Sequence, residues 1–135
     1  MIKIELLNQL EQLTKLAEVI ETFGEDNNLP MNVVFDINLS LDELVTNIIL
    51  YGYNDKNTHT IEVLLEKEGN KVEITLVDDG QEFDPTKKEK PNLDLEVEDK
   101  GIGGLGIHFV KTKMSDIKYK REENKNILTL IKEIN

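Results

Sequence analysis

The chain has 135 residues, of which 39% are hydrophobic and 32% charged, enough for a single domain with a core that needs no staples. It has no cysteine, which excludes disulfides, thiolate metal sites and a cysteine nucleophile and fits a reducing cytoplasm. Its formal net charge of −11 has the wrong sign for a phosphate-backbone binder, so no direct nucleic-acid partner is expected; the acidity serves solubility or presents a face to a basic protein.

Ile2, Ile4 and Leu6 alternate, which predicts a short first strand. Leu10, Leu13, Leu16, Ala17, Ile20 and Phe23 then recur at helical spacing, and Gly24 with the polar stretch EDNN is expected to end that helix. Pro30 suits the first turn of a second helix running to about Tyr53, with Val34, Ile37, Leu41, Val45 and Ile48 as its apolar stripe. Ile61, Val63 and Leu65 alternate, Glu68-Gly69-Asn70 turns the chain, and Val72, Ile74 and Leu76 alternate again, a β-hairpin.

Residues 86–100 are charged, carry Pro91 and lack a sustained period, so they read as a lid-like loop. A short helix around Leu105, Phe109 and Val110 follows, then a second hairpin with Ile117 and Tyr119 in one strand and Ile127 to Ile131 in the other. Nowhere do 18 apolar residues run together and no signal peptide is visible at the start, so no membrane partner is expected. The element order predicts a mixed or antiparallel sheet covered by helices.

Three stretches carry chemistry. GIGGLG at 101–106 spells G-x-G-x-x-G, yet it follows a charged loop rather than a strand, and too little chain remains for a doubly wound sheet. Glycines ahead of a helix still offer free N–H groups and the positive end of the helix dipole to an anion. VDDGQEFDP at 77–85 ends a hydrophobic strand; it is an ordinary Asp-Gly turn or an acceptor for an exocyclic amine, with the glycine giving a ring room to approach. In the second helix Glu43, Asn47 and Tyr51 share one side, with Glu43 and Asn47 roughly opposite the apolar stripe. They form a solvated polar face, or a site where the amide ligates a hard cation and the carboxylate takes a proton from an attacking hydroxyl. His59 and His108 lack metal-ligand spacing.

In this order, E-x-x-x-N followed by YGY, D-x-G-x-x-F-D-P and GIGGLGIHFV before a closing hairpin resemble the N, G1 and G2 boxes of the GHKL ATPase superfamily. The chain is most similar to the bacterial anti-sigma regulatory factors, the serine-protein kinases of partner-switching systems, and the resemblance covers nearly all of residues 1–135 as one ATP-binding domain. It implies a Bergerat-type fold, an α/β two-layer sandwich in which helices cover one face of a mixed, mostly antiparallel sheet.

The resemblance also implies ATP and Mg²⁺ as cofactors, with Glu43 as the catalytic base and Asn47 as the metal ligand. Asp78 would accept the adenine amino group, with Gly80 letting the base dock. Gly101, Gly103, Gly104 and Gly106 would frame the phosphates, and Thr129 would support the adenine pocket through a water. Relatives often carry an arginine in or near the lid; here Arg121 is the sole arginine of the chain, so Lys100, or one of Lys87, Lys88 and Lys90, stands in for it. The implied function is an ATP-dependent cytoplasmic regulator that binds a sigma factor or comparable target and phosphorylates a serine or threonine on a small antagonist protein, with a homodimer as its expected assembly. The alternative is a nucleotide-binding interaction module without kinase activity.

Overall fold

The structure, a computed structural model, describes residues 1–87 and 104–134. Strand β1 (Ile2–Leu7) leads into helices α1 (Gln12–Asp26) and α2 (Met31–Tyr51). Strands β2 (Thr60–Glu68) and β3 (Lys71–Asp78) follow, then a 3₁₀ turn at Pro85–Lys87. Helix α3 (Gly104–Lys113) and strands β4 (Asp116–Glu122) and β5 (Lys125–Glu133) complete the chain. Among the described residues no helix is long and apolar enough to cross a membrane.

The five strands lie in the order β1-β2-β3-β5-β4, and every pairing is antiparallel. Of the mixed or antiparallel sheet that the element order predicts, the described strands form the antiparallel one. Strands β3 and β4 point the same way, but β5 inserts between them, so they never pair. Both hairpin turns carry the backbone that strand twist demands. Gly69 takes φ 61°, while Glu123 and Asn124 take φ 52° and 63°, the left-handed pair of a type I′ turn.

Alternation sends one side of each strand inward. Ile61, Val63 and Leu65 of β2, Val72, Ile74 and Leu76 of β3, and Leu128 and Leu130 of β5 are buried. Leu16, Ile20 and Phe23 of α1 and Val33, Ile37, Leu41, Leu44 and Val45 of α2 join them in one core. The opposite sides of the central strands stay partly exposed, so the helices cover one face only.

Two residues at helix boundaries differ from the sequence expectation. Gly24 lies inside α1, where a Cβ would stand 2.6 Å from Val34 Cγ2, so this glycine lets α1 and α2 approach closely. The helix ends within the expected EDNN stretch, at Asn27 and Asn28: the Asn27 Nδ2 donates to Phe23 O at 2.8 Å, and Asn28 takes φ 53°. Pro30 stands at the N-cap of α2, just ahead of its first helical residue. Helix α2 is also pinned to the sheet, since Lys132 Nζ lies 3.0 Å from Asp36 Oδ2 and donates to Lys113 O, at the end of α3, at 2.7 Å.

Candidate functional site

A cavity of about 490 Å³ opens between the C-terminal half of α2, the end of β3 and the β4–β5 hairpin. Leu44, Ile48, Leu76 and Leu128 form its apolar wall, Tyr51, Phe83 and Tyr119 add rings, and Asp78, Asn47 and Asn126 are polar groups in its lining. An apolar cavity with a few convergent polar groups suits a flat heterocycle that carries specific donors.

Asp78 is the last residue of β3 and is 6% exposed. Burial pushes its carboxyl above the usual carboxylate range, and hydrogen bonds from Asn126 and Gly80 pull it back. Both described bonds reach the same oxygen: Gly80 N–H donates to Oδ1 at 2.9 Å and Asn126 Nδ2 at 3.0 Å. Among the described residues no donor reaches Oδ2.

Gly80 is required where it stands, because a Cβ would lie 2.5 Å from Gly52 O. That close approach fastens the loop after β3 to the end of α2: Gln81 N donates to Gly52 O at 2.7 Å and Gln81 Nε2 to Tyr51 O at 3.1 Å.

Asn47 lines the cavity from α2, while Glu43, one turn before it, stands outside the lining. Glu43 and Asn47 are half-buried, not on an open polar face, because α3 packs beside α2. Desolvation raises the Glu43 carboxyl, Asp42 raises it further, and the Asn47 amide lowers it by hydrogen bonding. Asn47 Oδ1 is buried without a hydrogen-bond partner. A buried amide oxygen left bare is a costly feature that a cation or a ligand donor would relieve. Gly106, in the first turn of α3, lies against Glu43 so closely that a Cβ would come within 1.9 Å of Glu43 Cδ.

Gly104 and Gly106 thus belong to the N-terminal turn of α3 and do not precede it. Gly101, Gly103, Lys100, Lys88 and Lys90, and with them residues 88–100 of the expected lid, lie outside the described residues. Thr129 is not brought to the cavity. On β5 the inward positions are Asn126, Leu128 and Leu130, so Thr129 faces the opposite side of the sheet, between Thr75 and Lys118.

Asn126, which sequence reading overlooks, stands directly across from Asp78 in the β3–β5 register. Its signal was an amide in phase with Leu128 and Leu130, a polar residue at a position where alternation calls for a core side chain. Arg121 also works at this end, donating from Nη1 to Gly80 O at 2.8 Å. His59 stacks on Tyr53 with ring centroids 4.1 Å apart and bonds Asp55 and Asp79, which raise its pKa. His108 is half-buried on α3.

The family description "Histidine kinase-like ATPase domain" matches residues 6–132. Over 96 residues the chain is 28% identical to the serine/threonine-protein kinase BtrW of Bordetella bronchiseptica, spanning 71% of this chain and 68% of that protein. It is 23% identical over 129 residues to an anti-sigma F factor of Thermoanaerobacter sp., spanning 95% of this chain and 89% of the relative. Among solved structures, the RsbU and RsbW domains of Rv1364c from Mycobacterium tuberculosis superpose with a TM-score of 0.66 at 12% identity. That likeness covers 99% of this chain but 33% of the longer one, and it shows a shared fold.

Proposed function

This chain belongs to the histidine kinase-like ATPase domain family, and from that premise we propose that it is an ATP-dependent serine/threonine-protein kinase acting as an anti-sigma regulatory factor. In one state it binds a sigma factor or comparable target. In the other it binds a small antagonist protein and phosphorylates it on a serine or threonine. The observation that carries the reading is one cavity lined both by a buried Asp78 with one oxygen committed and by Asn47 with a bare amide oxygen, Asn47 also bonding Glu43 outside the lining. The names of the relatives, a kinase and an anti-sigma factor, favour this reading over an interaction module without catalysis.

Asp78 accepts a hydrogen bond from the exocyclic amine of adenine, and the absent Cβ of Gly80 leaves space for the loop to close on α2. Glu43 takes the proton of the attacking hydroxyl; its raised pKa brings it nearer the neutral range where a general base works best. Asn47 orients that carboxylate through its amide. The N–H groups at the start of α3, with the positive end of its dipole, hold the phosphates, and Gly106 keeps the helix close to Glu43.

The donor set fits Mg²⁺, since the bare Asn47 Oδ1 is a hard oxygen and this ion takes few protein ligands beside phosphate oxygens. When bound it supplies charge neutralisation to the phosphates. Lys100, Gly101 and Gly103 complete the phosphate end in this proposal, which also includes homodimerisation and a cytoplasmic location. Phosphoryl transfer here rests on positioning and charge, with little covalent work for the protein.

The test is incubation with γ-labelled ATP and the antagonist protein found by co-purification. Label on an antagonist serine or threonine is expected. ATP binding with no transfer to any co-purifying protein would leave only the interaction module.

A further inference from the structure

We infer that Asn126 is the specificity-setting residue of the base pocket, because its amide dictates which oxygen of Asp78 a ligand meets. The inference rests on the nucleotide reading above and deepens it.

Both ends of the Asn126 amide are committed. Its Nδ2 donates to Asp78 Oδ1 at 3.0 Å and to Gln81 O at 2.7 Å. Its Oδ1 accepts from the Tyr119 hydroxyl, from Arg121 Nη1 at 3.1 Å and from Phe83 N–H at 3.3 Å. Flipping this amide would set NH₂ against two fixed donors, Arg121 Nη1 and Phe83 N–H, and oxygen against a carboxylate and a carbonyl. Only one orientation is compatible with its surroundings, and the side chain is 7% exposed, so water does not relieve the alternative.

The consequence falls on Asp78. With Asn126 and Gly80 both donating to Oδ1, that oxygen is saturated, and no donor among the described residues reaches Oδ2. Two donors on one oxygen also favour the ionised carboxylate against the cost of burial. Oδ2 is therefore the acceptor that a ligand meets. A base presenting an amine there is bound; a base presenting a carbonyl sets oxygen against oxygen.

Arg121 strengthens the arrangement by tying Gly80 O to the same hub, so strand β4 holds the loop under the base. The chain's sole arginine is thus spent at the base end of the cavity. Asn126 acts through Asp78 and is a positioning residue.

The experiment measures affinity for ATP and for inosine triphosphate, whose amine is replaced by a carbonyl, across pH 5 to 9, in the parent protein and in Asn126→Leu. The parent is expected to prefer ATP. In Asn126→Leu, ATP affinity should fall about 10- to 100-fold while inosine triphosphate affinity changes less than about threefold. The acidic pH at which ATP affinity declines should also move upward, because Asp78 has lost a donor that favoured its charge. A merely structural role would weaken both nucleotides alike and leave the pH midpoint unmoved, and that result overturns the inference. Should Asn126→Leu fail to fold, Asn126→Thr, which keeps a hydroxyl donor, carries the same test with a smaller shift in selectivity and midpoint; unchanged values there overturn it equally. A parent protein that binds neither nucleotide instead overturns the nucleotide reading itself.

Discussion

The two ends of the cavity solve opposite problems with similar residue types. At one end an aspartate and an asparagine face each other across paired strands, and both sides of the asparagine amide are used. At the other end an asparagine lines the cavity one helical turn from a glutamate outside the lining, and the asparagine oxygen is buried with no partner among the described residues. Under the proposed function the first is the base end, its acceptor fixed by partners within the chain, and the second is the phosphate end, where Asn47 Oδ1 has no partner among the described residues. Specificity needs the first condition, because discrimination depends on a fixed acceptor. Transfer chemistry suits the second, because groups aimed at developing charge are most useful when nothing else satisfies them.

The largest effect expected from breaking this contrast is at Glu43. Glu43→Gln should lower phosphoryl transfer about 10²- to 10⁴-fold, the usual contribution of a positioned base, while ATP affinity stays within a few-fold. Single-turnover transfer beside equilibrium binding separates the two, and normal transfer by this variant would remove Glu43 from the mechanism.

Asp78→Asn strikes the base end and should behave differently. ATP affinity should fall about 10- to 100-fold, since the acceptor proposed for the base amine is replaced. Stability should not fall with it. Burial raises the Asp78 pKa, so its charge costs stability above that raised value, and the cost is relieved as pH falls through it. At neutral pH the variant is expected to melt no lower than the parent, and a clear drop in Tm would contradict this account.

Gly106→Ala should cost about tenfold in transfer by pushing Glu43 aside, because the new Cβ overlaps the carboxylate carbon. Adenosine, which lacks phosphates, should bind the variant as well as it binds the parent. A matching loss of adenosine affinity would show the two ends to be mechanically linked.

The smallest effect sharpens the border of the base end. His59 joins Asp55 to Asp79, the neighbour of Asp78, and these partners raise its pKa. Its contribution to stability is full below the ordinary histidine value and is lost as pH rises through the raised one. A thermal-melt series from pH 5 to 9 should show this small slope in the parent and lose it in His59→Gln.

Legibility in the sequence follows the range of each interaction. Alternation marked β1, β2 and β3 because a half-buried strand repeats every second residue, and the Gly69 turn was visible because only certain residues tolerate its backbone. Helix α1 misled at Gly24, since a glycine that permits close packing looks the same in sequence as one that ends a helix. Glu43 and Asn47 looked solvated by periodicity, because a helical wheel records the angle to one core and nothing of a second neighbour such as α3.

Asp78 and Gly80 stood out through their place after a hydrophobic run, whereas Asn126 lies 48 positions away and meets Asp78 only through strand register. Thr129 was expected at the cavity by analogy, and the two-residue period of β5 turned it to the other face.

By itself, then, the sequence determined the strands, the helices and the ordered boxes that carry a nucleotide-site chemistry, because propensity, patterning and turn residues act within a few positions. Tertiary structure alone decided that the sheet is wholly antiparallel, that Asn126 and not Thr129 serves Asp78, and that Glu43 sits under Gly106. Those outcomes depend on which strand inserts where and on how closely two helices approach, and both are set by packing between segments distant in the chain.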